Sequence, residues 1–259
     1  METYFDPELN ENPNVSYYII DMKKGDVTGD GTEDEVYLLG TQPSGGHGPN
    51  YFDDVTVSII DGKTKKTTYL RFKYNSGYNP KLLLADFTGD GFPDIFISIN
   101  AEPDEGRYFY YIFSAIDNNP KSLFNFVAFN EFSEYRVIYR DFYQVEVIGV
   151  NINKVFYIDL SAKPKEYLSK IYRADGKLIE PIMGDVLNLG ILFPVDVNDD
   201  GVMELLAFQR VVGETNSDVL GYLQTFLTFN GTEFRPGLTL LATDGKTVDA
   251  KNLIKQESR

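Results

Sequence analysis

The segment Ala85-Asp-Phe-Thr-Gly-Asp-Gly-Phe-Pro-Asp94 carries the pattern that decides the fold of this 259-residue chain. Two further segments repeat the pattern: Gly25-Asp-Val-Thr-Gly-Asp-Gly-Thr-Glu-Asp34 and Val195-Asp-Val-Asn-Asp-Asp-Gly-Val-Met-Glu204. Counted from the first Asp, oxygen-bearing side chains occupy positions one, three, five and nine, and glycine occupies position six. This spacing matches the start of a calcium-binding loop, in which position seven contributes its backbone carbonyl. The pattern therefore predicts cation sites.

Strand-like runs flank the three acidic segments. Lys81-Leu-Leu-Leu84 precedes the middle segment and Ile95-Phe-Ile-Ser-Ile99 follows it, and similar apolar, β-branched and aromatic runs recur along the chain between turn residues. A helical period is present only weakly, at Lys163–Tyr172. An EF-hand would need helices and a Glu at position twelve, where Tyr37, Ile97 and Ala207 stand instead. The predicted class is all-β.

Two markers recur along the chain with a common phase. The first acids, Asp26, Asp86 and Asp196, are 60 and 110 residues apart, and Asp141 begins an eroded copy within the longer gap. A turn dipeptide follows each first acid by 32–35 residues: Asp61-Gly62, Asn118-Asn119, Asp175-Gly176 and Asn230-Gly231. The chain is therefore divided into four repeats, at about residues 15–75, 76–130, 131–186 and 187–249.

Repeats of this length are typical of propeller blades, which cannot bury both sheet faces alone and pack into a ring. We expect one propeller-like domain, residues 15–249, with about four four-stranded blades; a β-sandwich and a five-bladed propeller are the alternatives. Residues 1–14 are expected to form an N-terminal arm, and residues 250–259 a charged C-terminal tail. A monomer is expected.

The composition excludes several classes of protein. The absence of Cys rules out disulfides, thiol catalysis and Cys-ligated zinc, and the formal net charge of −15 argues against nucleic acid and anionic membranes as partners. No run approaches the roughly 18 apolar residues of a membrane helix, and the N-terminal residues lack the features of a signal peptide. A cation remains as a partner that suits the charge.

The motif Asp-x-Thr-Gly-Asp-Gly-x-x-Asp between strands resembles the FG-GAP/VCBS repeat of integrin α-chain propellers and of many bacterial surface and secreted proteins. The resemblance covers roughly residues 15–246. It implies two or three structural Ca²⁺ ions, each in a loop that joins the first two strands of a blade. Thr32, Phe92 and Val202 would act through their backbone carbonyls. The implied ligands are Asp26, Thr28, Asp30, Thr32 and Asp34; Asp86, Thr88, Asp90, Phe92 and Asp94; and Asp196, Asn198, Asp200, Val202 and Glu204.

Binding of a partner is expected on the loops that follow the second strands, 41–54, 101–107 and 211–221, because long loops on a rigid scaffold often carry binding sites. The partner would be a protein or a glycan, and the module non-catalytic and extracytoplasmic, since extracellular calcium modules bind weakly. The candidate residues are His47, Tyr51, Glu102, Asp104, Arg107, Glu214, Asn216 and Asp218.

An enzyme is the alternative interpretation of the same loops. Glu102, Asp104 and Glu214 are candidates for the acid and base of a hydrolase acting on a polysaccharide or a phosphoester. The interpretation of these residues as a solvated acidic rim is favoured over a catalytic pair. His47 is the chain's one histidine and lies among glycines, and no Gly-x-Ser-x-Gly elbow is present. The non-catalytic interpretation is therefore favoured.

Overall fold

A computed structural model describes residues 3–4, 16–43, 48–102 and 106–244. Nearly every described element is a strand, as the strand-like runs predict. The first half of the chain begins with β1 (Thr3–Tyr4), β2 (Tyr17–Gly25), β3 (Asp34–Thr41), β4 (Tyr51–Ile60) and β5 (Thr67–Leu70). It continues with β6 (Gly77–Ala85), β7 (Asp94–Glu102), β8 (Arg107–Ser114), β9 (Lys121–Asn125) and the helix α1 (Phe126–Phe132).

The second half of the chain adds eight strands and one helix. These are β10 (Tyr135–Arg140), β11 (Gln144–Gly149), β12 (Lys154–Asp159), the helix α2 (Lys165–Ile171) and β13 (Met183–Val186). They are followed by β14 (Ile191–Val195), β15 (Glu204–Val212), β16 (Val219–Phe229) and β17 (Phe234–Ala242). Helix α2 lies inside the window in which the sequence shows its weak helical period.

The described strands form two antiparallel sheets. One has nine strands, in the order β1-β2-β3-β4-β6-β7-β8-β9 with β5 paired to β4. The other has eight, in the order β12-β11-β10-β13-β15-β16-β17 with β14 paired to β15. The all-β class is confirmed. The expected ring of four separate blades is not shown, because strands of successive repeats share each sheet; Tyr51 and Phe52 of β4, for example, pair with Tyr78 and Gly77 of β6.

One local arrangement nevertheless recurs in the sheets. Strands β2 to β5 and β6 to β9 each pair in chain order, and an acidic segment joins the first two strands of each set. The third acidic segment joins β14 to β15 in the same way. At the eroded copy, by contrast, β10 ends at Arg140 and β11 begins at Gln144, so a short turn containing Asp141 replaces the acidic loop.

The chain divides into two compact units, each with its own core. Unit 1 contains residues 1–132, 188–208 and 225–239, and unit 2 contains residues 133–187, 209–224 and 240–259. Fully buried side chains such as Val57, Phe87 and Ile97 build the core of unit 1. Val137, Val147 and Leu223 belong to the smaller core of unit 2. All three acidic segments belong to unit 1.

The structure describes part of the N-terminal arm that is expected from the sequence and none of the C-terminal tail. Of the N-terminal arm, Thr3 and Tyr4 form β1, which pairs with Tyr18 and Tyr17 of β2. The C-terminal tail, residues 250–259, lies outside the described residues. Among the residues that the structure does describe, no helix is long and apolar enough to cross a membrane.

Candidate calcium-binding loops

The three acidic segments form loops with one shared backbone course. We call them loop 1 (residues 26–34), loop 2 (residues 86–94) and loop 3 (residues 196–204). Position nine is the first residue of the following strand in all three, at Asp34, Asp94 and Glu204. Positions four and six have positive φ angles throughout: the values are 74° and 85° in loop 1, 76° and 85° in loop 2, and 60° and 86° in loop 3. Glycine occupies five of these six positions, because it adopts positive φ angles without steric cost. Asp199 occupies the sixth.

The position-one carboxylate closes each loop through backbone amides. In loop 1, Asp26 accepts hydrogen bonds from the amides of Gly29 (2.9 Å), Asp30 (3.1 Å) and Gly31 (2.9 Å). Asp86 of loop 2 accepts from Thr88, Gly89 and Gly91, and Asp196 of loop 3 accepts from Asp200 and Gly201. The same curled conformation is therefore enforced three times by the same residue type.

The carboxylates at positions five and nine continue this repetition. At position five, Asp30, Asp90 and Asp200 each accept from the amide two residues ahead at 2.9 Å. At position nine, the carboxylate reaches back across the loop. Asp34 accepts from the amide of Thr28, Asp94 from that of Phe87 and Glu204 from that of Val197. In each loop, the carboxylates at positions one, five and nine thus accept hydrogen bonds from the backbone amides of the same loop.

The position-nine carboxylates of loops 1 and 2 are buried. Asp34 is 0% exposed and Asp94 is 2% exposed. Burial, followed by the negative charges of Asp90 and Asp86, raises the pKa of the Asp94 carboxyl to about 7. A cation held among these carboxylates would offset both effects, because it attracts the charged form.

Loop 1 also contains an unsatisfied polar atom. Thr28, at position three, is 1% exposed, and its Oγ1 has no hydrogen-bond partner among the described residues. A buried hydroxyl without a partner is costly, and such an atom requires an explanation. A hydroxyl at position three is one of the oxygens that the calcium spacing assigns to the ion, so the residues present fit a cation that prefers oxygen ligands.

The carboxylates are not drawn together in this structure. Within the described ranges, no group of three or more His, Cys, Asp or Glu side chains is close enough to hold a metal. The carboxylates bond to backbone amides instead, and the rest of the expected ligand set consists of hydroxyl, amide and carbonyl oxygens. Ion binding would therefore require the side chains at positions one, five and nine to move toward the centre of each loop.

Residues outside the acidic pattern also hold loop 1. The amide of Gly62 donates to Asp34 at 2.8 Å, and the amide of Asp117 donates to the carbonyl of Thr28 at 2.9 Å. The side chain of Asn118 donates to Asp61. From the sequence, Asp61-Gly62 and Asn118-Asn119 are expected only as turns. The constant spacing between these turns and the acidic segments is the sequence signal that indicates their proximity to an acidic loop.

The residues expected to bind a partner fall into both units. In unit 1, Arg107 forms an exposed ion pair with Glu102 at 3.2 Å. The half-buried Tyr51 packs edge-on against Tyr78, with ring centroids 4.9 Å apart, and its pKa is raised, first by burial and then by Asp53. His47 and Asp104 lie outside the described residues. The structure thus brings Glu102 and Arg107 together.

In unit 2, Glu214 and Asn216 are exposed in the turn between β15 and β16. Asp218 is half-buried and accepts a hydrogen bond from the hydroxyl of Tyr167 at 2.8 Å. The hydroxyl of Tyr139 lies 3.4 Å from that of Tyr167, and Tyr139 is 2% exposed. Asp218 is therefore engaged in an internal network of its unit.

Comparison with known proteins identifies the family. Uncharacterized protein YybI of Bacillus subtilis (strain 168) is 38% identical over 241 residues, which cover 92% of this chain and 91% of the relative. The family model described as the YybI C-terminal domain matches residues 133–242. The chain belongs to the YybI family. Its matched C-terminal domain begins at residue 133, where unit 2 also begins.

This finding corrects the family expected from the loop motif. The resemblance to FG-GAP/VCBS repeat proteins is wrong, because the relative that matches nearly the whole chain and the family model that matches its second half are both YybI. The physical reason is that nine residues are enough to form an oxygen-rich turn, so the same turn can occur in unrelated proteins. A motif of that length and its chemistry do not require descent from one repeat family.

Two solved structures of rhamnogalacturonan lyases are also similar to the chain. The lyase PL11 of Bacillus licheniformis is 16% identical, with a TM-score of 0.31, and the match covers 86% of this chain and 51% of the lyase. The lyase YesW is 16% identical, with a TM-score of 0.29, and the match covers 90% of this chain and 52% of the lyase. The chain spans about half the length of these lyases.

Proposed function

We propose that this protein is a non-catalytic calcium-binding module, in which loops 1, 2 and 3 bind two or three structural Ca²⁺ ions. The observation that best supports calcium binding is the buried Oγ1 of Thr28, which has no hydrogen-bond partner among the described residues. It lies in a loop whose hydrogen-bond pattern recurs in the other two loops. The ligands are those expected from the spacing. Loop 3 is the weakest site of the three, since Asn198 replaces a threonine and Glu204 an aspartate.

A structural role follows from where the loops lie in the chain. Each loop joins two adjacent strands of unit 1, so an ion held in the loop stabilises the pairing that begins at position nine. Because calcium would bind the folded chain and not the unfolded one, it should raise the unfolding free energy by mass action. Weak affinity, in the range of about 10⁻⁴–10⁻³ M that extracellular modules show, suits an extracytoplasmic location.

The proposal includes a propeller-like arrangement of four repeats and a protein or glycan partner. The recurring strand-loop-strand unit and the four turns in phase support the repeats. The exposed ion pair between Glu102, the last residue of β7, and Arg107, the first residue of β8, is the main binding candidate in unit 1. A crystal structure grown with calcium and a glycan or pull-down ligand would count the blades and show the bound surface.

The decisive experiment compares melting temperature with saturating calcium and with chelator, alongside calorimetric titration of Ca²⁺. A site filled at a hundredfold excess over Kd adds about 2.7 kcal/mol. For a chain of this size, that corresponds to roughly 5–10 °C. We expect the Asp90→Ala variant to lose about this much of the calcium-induced rise and to bind fewer ions.

Asp141→Ala is the matched control, because Asp141 has the same phase in the third repeat but lies in a short turn, where its carboxylate accepts from the amide of Leu178. Its calcium-induced rise should equal that of the natural sequence. No heat of calcium binding and no effect of chelator on melting would rule out the calcium sites.

A further inference from the structure

The three loops lie against one another in sequence order. Between loops 1 and 2, the position that a Cβ would take at Gly29 is 3.6 Å from the Phe92 ring, and that at Gly25 is 3.2 Å from the side chain of Pro93. Between loops 2 and 3, the Cβ position of Gly89 is 3.6 Å from the side chain of Val202. The amide of Met203 donates to the carbonyl of Asp86 at 2.8 Å.

Both junctions are built from the same loop positions. In each, position seven of the later loop (Phe92 or Val202) lies on the position-four glycine of the earlier one (Gly29 or Gly89). The following residue, Pro93 or Met203, contacts the residue that begins the earlier loop or immediately precedes it. Because the same loop positions make the contact at both junctions, the contact is a general feature of how these loops pack and not a peculiarity of one pair.

The loop positions that make these contacts include the positions that would bind an ion. Position seven supplies a backbone carbonyl to the proposed ion, and position one supplies a carboxylate. Binding in loop 3 would therefore order Val202 and Met203, which bear directly on Gly89 and Asp86 of loop 2. Loop 2 would pass the same effect to loop 1 through Phe92 and Pro93. A neighbour that is already ordered costs less to order around a second ion, which produces positive cooperativity.

We propose that loops 1, 2 and 3 form one coupled row, in which calcium bound at one loop strengthens binding at the adjacent loop. This inference rests on the proposed calcium sites and adds to them a defined order of communication. Coupling between sites is reciprocal and commonly amounts to 5–150-fold in affinity. Loop 2 touches both neighbours, so it is the position where loss of an ion affects the row most.

The test isolates the junction between loops 2 and 3. Asp30→Ala serves as the background, because it removes from loop 1 both the charge and the side-chain oxygen that the ion needs at position five. In that background, Ca²⁺ titration by calorimetry should give two ions with a steep isotherm. Adding Val202→Ala should keep two ions, since position seven binds through its carbonyl, but weaken overall affinity at least about fivefold and abolish the steepness.

Two variants separate coupling from general damage to the fold. Val197→Ala removes the same side-chain atoms from loop 3 at a residue that is 58% exposed, and it should leave the isotherm unchanged. Val202→Ile retains the contact with Gly89 and should preserve steep binding. Far-UV circular dichroism and the melting temperature in chelator verify that each variant is folded before calcium is added.

The outcomes distinguish the inference from the proposed function. Two ions with identical, independent constants in the Asp30→Ala protein, unchanged by Val202→Ala, would overturn the coupled row and leave the calcium sites intact. Equal weakening by Val197→Ala and Val202→Ala would also overturn it. A natural sequence that binds no calcium at all would overturn both the row and the sites beneath it.

Discussion

At the scale of single residues, aspartate has two separate roles in this chain. In the loops it sits among like charges, whereas at the turn between β4 and β5 it is held by donors only. Asp61 accepts from the amides of Lys63 (2.9 Å) and Thr64 (2.7 Å) and from the side chain of Asn118. The hydrogen bond from Thr64, followed by that from Asn118, lowers the pKa of Asp61 from 3.8 to about 2.

This lowered pKa predicts a specific dependence of stability on pH. The folded state favours the charged carboxylate, so the contribution of Asp61 is complete above the unfolded pKa of 3.8 and is lost as pH falls toward about 2. We expect Asp61→Asn to lower the melting temperature at pH 6 in chelator, and the difference from the natural sequence to shrink between pH 4 and pH 2. Asp175→Asn, in a turn of unit 2, controls for the loss of one charge. A difference that stays constant over this range would contradict the prediction.

At the scale of elements, hydrogen bonds between distant segments hold the irregular connections. In unit 2, Tyr167 of α2 donates to Asp218, which precedes β16, and its hydroxyl lies near that of Tyr139 in β10. The amide of Gly213 donates to the carbonyl of Asp218 at 2.8 Å and closes the turn between β15 and β16. Burial raises the pKa of Tyr139 to about 12 and also raises that of Tyr167. All three elements thus meet at one polar cluster.

Removal of the Tyr167 hydroxyl should destabilise the protein. Tyr167→Phe removes a hydroxyl that donates to the half-buried Asp218 carboxylate, and loss of a hydrogen bond to a charged group typically costs about 1–3 kcal/mol. Tyr157→Phe is the matched control, because Tyr157 of β12 is 63% exposed, and its effect should fall within about 0.5 kcal/mol. Urea unfolding followed by circular dichroism measures both. Equal midpoints for the two variants would show that the cluster contributes nothing to stability.

At the scale of the whole molecule, the acidic loops are unevenly distributed. All three belong to unit 1. In the first segment of unit 2, residues 133–187, the short turn at Asp141 stands where the sequence pattern would place another acidic loop. The net charge of −15 is therefore partly a set of carboxylates concentrated in one unit. If calcium binds as proposed, its effects should have the same distribution.

Hydrogen–deuterium exchange with mass spectrometry tests this distribution. Chelator should speed exchange in residues 26–41, 86–102 and 196–208, because loop disorder releases the strands that begin at position nine. Peptides from residues 133–187 should exchange at the same rate with and without calcium. Asp90→Ala should reproduce part of the chelator effect, with the largest change in loop 2. A uniform change over both units would show that the ion acts elsewhere than in the loops.

Local pattern predicted the parts of this protein that depend on neighbouring residues. The strands, the glycines at positions with positive φ, the acidic loops and the turns after Asp61 and Asn230 all follow from spacings of a few residues. Helix α1 is not among the elements expected from the sequence, because it has only seven residues and its aromatic composition is equally typical of a strand. Asn125 begins it by accepting the amides of Val127 and Ala128, a capping signal that the aromatic run obscured.

By itself, the sequence determined the all-β class and the three oxygen-rich loops, because these depend on backbone sterics and on side-chain spacing along one segment. Only the tertiary structure decided which loops touch. The contacts of Phe92 with Gly29 and of Val202 with Gly89 join residues more than 60 positions apart, and no local spacing encodes such a pairing. The same holds for the continuous sheets and the two units, since pairing between distant strands is selected by the burial of whole faces and not by any one segment.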